Sequence, residues 1–114
     1  ASDVYKRQLL SIMREIGFPF AYHHFAEGES PSPPFLLFLT PASSNFAADG
    51  KAYFKANEVH IELYADYKNP MLEEQVEAVL DRHGIFYNKT EAFIESEQLY
   101  ETLYIFEMEV TENG

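Results

Sequence analysis

The residues that could do chemistry are few, and their spacing is the first thing to weigh. His60 lies two positions from both Glu58 and Glu62. On a strand that spacing puts all three on one face, and a histidine between carboxylates could bind a cation or move a proton. A zinc site would need further ligands in set geometry, so the simpler reading is a polar face turned to solvent or to another subunit. His23 and His24 are adjacent; on a strand they would point to opposite faces and could not share a metal. His83 sits where it would stabilise a helix C-terminus. Carboxylates occur throughout the chain, so a pair of them carries little information without a measured separation across a cleft. Ser43 and Ser44 lack the G-x-S-x-G setting of an activated serine. No G-x-x-x-x-G-K or G-x-G-x-x-G cradle is present, and with no cysteine there is no thiol nucleophile, disulfide or Cys-type zinc site. These residues point away from an enzyme and call for no cofactor.

Composition narrows the partners. The chain has 114 residues, room for one domain, and 19 acids against 8 bases give a formal net charge of −11. That balance argues against gripping nucleic acid phosphates, which takes clustered Lys and Arg. No apolar run approaches the ~20 residues of a membrane span, and the start shows no basic-then-apolar leader pattern. Aromatics reach 16 %, with ten Phe, eight Tyr and no Trp, so they are expected to supply much of the core. Residues 3–8 (DVYKRQ) resemble a translated sequencing-library adaptor. Residues 1–8 are therefore expected to be non-native, a truncated gene start fused to adaptor. Residues 9–114 form the working domain. Without Asp3, Lys6 and Arg7 the balance becomes 6 bases to 18 acids, a net charge of −12.

The elements that position these residues can be read from periodicity. Leu9, Leu10, Ile12, Met13 and Ile16 fit one buried helical face, and Gly17 can close that helix. Residues 18–25 (FPFAYHHF) read as a strand with Pro19 at its start or on an edge. Residues 26–34 form a polar, proline-rich loop. Residues 35–39 (FLLFL) fit a strand covered on both faces, ended by Pro41. Residues 42–50 (ASSNFAADG) read as a second loop, with Asp49-Gly50 as its turn. From 52 to 65, Val59, Ile61, Leu63 and Ala65 alternate with Glu58, His60, Glu62 and Tyr64, a sheet with one wet side. Asn69 and Pro70 open a second helix, whose stripe is Met71, Leu72, Val76, Val79 and Leu80, and Gly84 closes it. Residues 85–93 and 99–110 read as the last two strands. The expected fold is a single α+β domain of order α-β-β-β-α-β-β, a mainly antiparallel mixed sheet with two helices packed on it.

Three stretches carry a family resemblance: SSNFAADGKAYFKANEVHIELYADYKNP, LEEQVEAVLDRHGIFY and AFIESEQLYETLYIFEMEV. The most specific parts are NEVHIELY followed by a K-N-P helix start, and the later IESE–Y–T–Y–F pattern. From Leu9 to about Val110 the chain resembles small tail-module proteins of long-tailed phages and prophages of Gram-positive bacteria, most like the tail terminators. The resemblance implies a small α/β subunit that forms a ring, commonly a hexamer, which caps the tail tube and helps join tail to head. It implies as partners other copies of the chain, the major tail tube protein and head–tail connector proteins, with no membrane. It places the protein in the virion tail after assembly and in the host cytoplasm before. It carries over no catalytic residues.

If DNA passes through such a ring, an acidic lumen would repel its phosphates. Glu58, His60, Glu62, Glu107 and Glu109 are then the candidate lumen or interface positions. Glu29, Phe46 and Asp49 are the candidate loop contacts to tube or connector. The alternatives are an acidic inhibitor that mimics DNA and, third, a small enzyme or ligand-binding domain built on the carboxylate–histidine face.

Overall fold

A computed structural model describes residues 2–48 and 51–111. Helix α1 spans Ser2–Ile16 and helix α2 spans Pro70–Arg82. The N-terminus of α2 is set by local chemistry: the Asn69 side chain accepts the Met71 amide at 3.1 Å, and Pro70 starts the helix. His83 caps the other end, and Gly84 follows with a φ of +67°, a conformation glycine adopts without cost. Helix α1 begins earlier than the expected Leu9, because no Gly or Pro interrupts residues 2–9.

Among the described residues five strands form one sheet in the order β1-β2-β3-β5-β4. They are β1 (Phe20–Tyr22), β2 (Phe35–Ala48), β3 (Lys51–Ala65), β4 (Asn88–Ile94) and β5 (Leu99–Thr111). β1 lies parallel to β2, and every other pairing is antiparallel. The α+β class, the element order and the mainly antiparallel sheet therefore match the sequence-based expectation.

Three local readings do not. The segment at 42–48 is strand, not loop: β2 continues past Pro41 by a register shift between Leu39 and Ala42. A bulge at that point accommodates a residue with no amide to donate. The strand expected over 18–25 is three residues long, because His23 takes a φ of +68° and turns the chain. His23 and His24 consequently do not diverge; their Nδ1 atoms are 3.0 Å apart. The strand expected from Ile85 begins at Asn88, since Ile85 and Tyr87 are used to pack against the core.

Both helices cover the same sheet face. Leu9, Ile12, Met13 and Ile16 of α1 and Val76, Val79 and Leu80 of α2 meet Leu36, Phe38, Val59, Ile61, Leu63, Tyr104, Phe106 and Met108. This core is more aliphatic than the composition suggested. Tyr22, Tyr67, Phe86, Phe93 and Tyr100 are exposed instead.

The sheet is not uniform along its length. β1 ends opposite Phe38, and β4 begins opposite Ile105, in adjacent rows. Beyond them, among the described residues, only β2, β3 and β5 continue, as a three-stranded arm that reaches Ala48 on β2 and Thr111 on β5. β3 alone has 15 residues, about 50 Å at the usual ~3.3 Å rise, and the long axis of the molecule is 50 Å.

Candidate functional site

The second sheet face, turned away from the helices, gathers most of the residues singled out by sequence. Strand alternation sets it: Val59, Ile61 and Leu63 are buried in the core, so Glu58, His60, Glu62 and Tyr64 take the opposite side. The register then lays the neighbours alongside. Leu39, His60, Ile105 and Asn88 form one row; Leu37, Glu62, Leu103 and Thr90 form the next; Phe35, Tyr64, Glu101 and Ala92 form a third. Glu58 pairs with Glu107. Between Glu58 and Tyr64 on β3 and between Leu99 and Glu107 on β5, this face holds Glu58, Glu62, Glu101 and Glu107 and no Lys or Arg, and Glu109 follows two positions further along β5.

His60 Nε2 lies 2.7 Å from Glu58 Oε2, so the carboxylate–histidine pair foreseen from spacing does form. Glu62 does not join it. The Tyr64 hydroxyl lies 3.0 Å from Glu62 Oε1 and donates across the sheet to Glu101 Oε2 at 2.7 Å. A phenol has a single proton to give, so it cannot satisfy two ionised carboxylates together. The arrangement is completed when one carboxyl carries a proton. Burial raises the Glu62 carboxyl above its ordinary value, and the charge of Glu101 adds to the shift, against the lowering effect of the Tyr64 bond. Burial, followed by its bond to Glu101, pushes the Tyr64 hydroxyl up and keeps it a neutral donor. Phe35 stacks on Tyr64 at 5.2 Å, and Phe25 meets Phe35 edge-on at 5.4 Å. These contacts hold the phenol in place.

The periphery of the face is shallow. Glu58 and Glu107 border a groove of about 510 Å³ whose other wall includes Ile85, Phe86 and Asn88. Phe86 is 97 % exposed. Among the described residues no group of three His, Asp or Glu side chains could hold a metal ion. What this face can do chemically is accept hydrogen bonds, attract cations, hold a shared proton and repel anions.

The remaining candidates lie further along the strands, in the segment joining β1 and β2, or outside the described residues. Glu29 is exposed in the segment joining β1 and β2, where its amide donates to the Ala26 carbonyl at 2.9 Å. Phe46 stands in β2 opposite Phe54, not in a loop. Glu109 stands in β5 opposite Ala56. Asp49 lies outside the described residues. Spacing alone did not find Glu101, which reaches Tyr64 only through the β3–β5 register. Tyr64 was visible in the alternating pattern but carried no sign of its role.

The helix-side scaffold behind this face is held by a second polar cluster. Glu73 of α2 is 5 % exposed and bonds Lys68 and Lys89, each at 2.7 Å. Lys89 of β4 also reaches Glu77 at 2.7 Å, Lys68 pairs with Glu91, and the buried Tyr104 hydroxyl donates to Glu77 at 2.8 Å. Burial, the largest influence on Glu73, pushes its carboxyl up, but the bonds from Lys68 and Lys89 outweigh it and hold it below its ordinary value.

Comparison with known proteins follows the fold and not the sequence. No family model and no curated protein matches this chain. A solved structure does: a chain of the virion of a native gene transfer agent particle superposes with a TM-score of 0.65. The match covers 94 % of this chain and 91 % of that one at 10 % identity, so what the two share is the fold.

Proposed function

We propose that this chain is a structural subunit of a phage-like particle and acts as a tail terminator or tail-completion subunit. Copies form a ring that caps a tube of major tail protein and meets the head–tail connector. The observation that carries this reading is the end-to-end likeness to a chain of the gene transfer agent virion, with the tail-module resemblance of the NEVHIELY–KNP and IESE stretches in support. The acidic face gives the ring a use. Glu58, His60, Glu62, Glu107 and Glu109 line the lumen or a subunit interface, so that passing DNA is repelled and not held. The repulsion acts at short range, since the Debye length is about 8 Å at physiological salt. Glu29, Phe46 and Asp49 contact the tube or connector. Residues 1–8 take no part, and no step of this role is catalytic.

Deleting the gene in the strain that makes the particle tests the reading. The expected result is tails longer than normal and unattached to heads in negative-stain micrographs. Gold-labelled antibody should mark the head-proximal end of wild-type tails. Normal, joined tails in the deletion strain, or virions free of the protein by mass spectrometry, would overturn it.

A further inference from the structure

The two ends of the sheet treat their edges differently. In the body the edges are blunted: β1 is only three residues long, and β4 (NKTEAFI) carries Lys89 and Glu91. Short edge strands and edge charges are the usual devices against pairing with another chain. In the arm, β2 has no strand beyond it past Phe38, and β5 has none beyond it past Ile105, among the described residues. The bare β2 segment, residues 42–48 (ASSNFAA), contains no charge and no proline. It is an edge strand whose outward backbone N–H and C=O groups have no ladder partner among the described residues.

We infer that copies of this chain join through these edges, residues 42–48 of β2 in one copy lying beside residues 106–111 of β5 in the next. It rests on the self-assembly in the reading above and supplies its contact. Because β2 and β5 are both antiparallel to β3, they run in the same direction. A neighbour rotated about an axis along the strands therefore presents its β5 parallel to β2. Each joint leaves one bare β2 and one bare β5 at the ends, so addition continues until the assembly closes. The other two pairings are poorer. β5 against β5 brings Glu107 and Glu109 of two copies to one seam, and like charges across a ladder repel. β2 against β2 satisfies one edge and leaves every β5 bare. Only the β2–β5 joint covers both edges of every copy.

The test is the mass of the full chain by light scattering and native mass spectrometry. The wild type is expected to form closed assemblies of three or more copies. The variant S43K/N45K should remain a monomer with unchanged circular dichroism and melting temperature. A charge control at exposed helix and turn positions, S11K/S96K, should assemble like the wild type. Because the chain has no cysteine, Ser44→Cys can be mixed in turn with Glu107→Cys, Met108→Cys and Glu109→Cys; oxidation should give a covalent dimer in at least one mixture. A wild type that stays monomeric or stops at a dimer overturns the inference. Assembly by S43K/N45K with no covalent dimer overturns the edge contact and leaves a ring built on other surfaces. The micrographs of the deletion strain report on virion placement separately.

Discussion

Glu73→Gln isolates the electrostatics that lock α2 to the sheet. Glutamine keeps the shape of the side chain and removes its charge. The wild-type carboxylate is 5 % exposed and accepts from two ammonium groups at 2.7 Å. Breaking a fully buried ion pair costs ~3–5 kcal/mol, and one charge-assisted hydrogen bond contributes ~1.5–3 kcal/mol. Here the lysine side chains are 41 % and 33 % exposed, and each keeps a second acid, Glu91 for Lys68 and Glu77 for Lys89. Rehydration and those remaining partners discount the loss to about 2 kcal/mol, or ~10 °C in Tm for a domain of this size. Urea unfolding followed by circular dichroism at pH 7, 5 and 3.5 measures it, with exposed Glu74→Gln as a control within ~0.5 kcal/mol. The pH dependence has a definite sign. Glu73 is held below its ordinary value, so its contribution is complete above the unfolded glutamate value of about 4.3 and is lost as pH falls from there through the native value. The gap between wild type and variant should be full at pH 7 and narrow at pH 3.5. A variant within ~0.5 kcal/mol of wild type at pH 7 would refute the reasoning, as would a gap equally wide at both pH values.

Two further outcomes follow from the site and its scaffold. Glu62→Gln should stabilise the isolated chain by ~0.5–1 kcal/mol at pH 8 and leave it unchanged near pH 4; Glu62 has a raised native value, so wild-type stability falls as pH rises from the unfolded value through the native one, and an effect of opposite sign in the same unfolding assay would refute this. Asn69→Ala removes the acceptor for the Met71 amide and should cost ~1 kcal/mol, about 5 °C in a thermal melt, whereas Asn69→Asp should stay near wild type.

Local signals were read correctly where a few neighbouring residues set the backbone. Asn69, Pro70 and Gly84 marked α2, because capping and turn conformations depend on residues within one helical turn. The alternation over 58–65 assigned each side chain to its face, since strand geometry repeats every two residues. The same rules misread Pro41 as a stop, because a bulge absorbs it only when β3 is present to pair on either side. They also misread His23 and His24, whose meeting depends on a positive φ that no hydrophobic pattern signals.

What the sequence determined by itself was the class of fold, the wet and dry faces of β3, and a formal net charge of −11. The tertiary structure alone decided which strands lie side by side. Residues 37 positions apart, Tyr64 and Glu101, meet because β5 inserts next to β3. Glu73, near the start of α2, is buried because Lys68 and Lys89 converge on it from the preceding turn and from β4. The bare edges of the arm exist because β1 and β4 stop while β2, β3 and β5 continue. Pairing order and strand overlap are long-range choices, set by how two helices and five strands bury one apolar face together, and no window along the chain contains them.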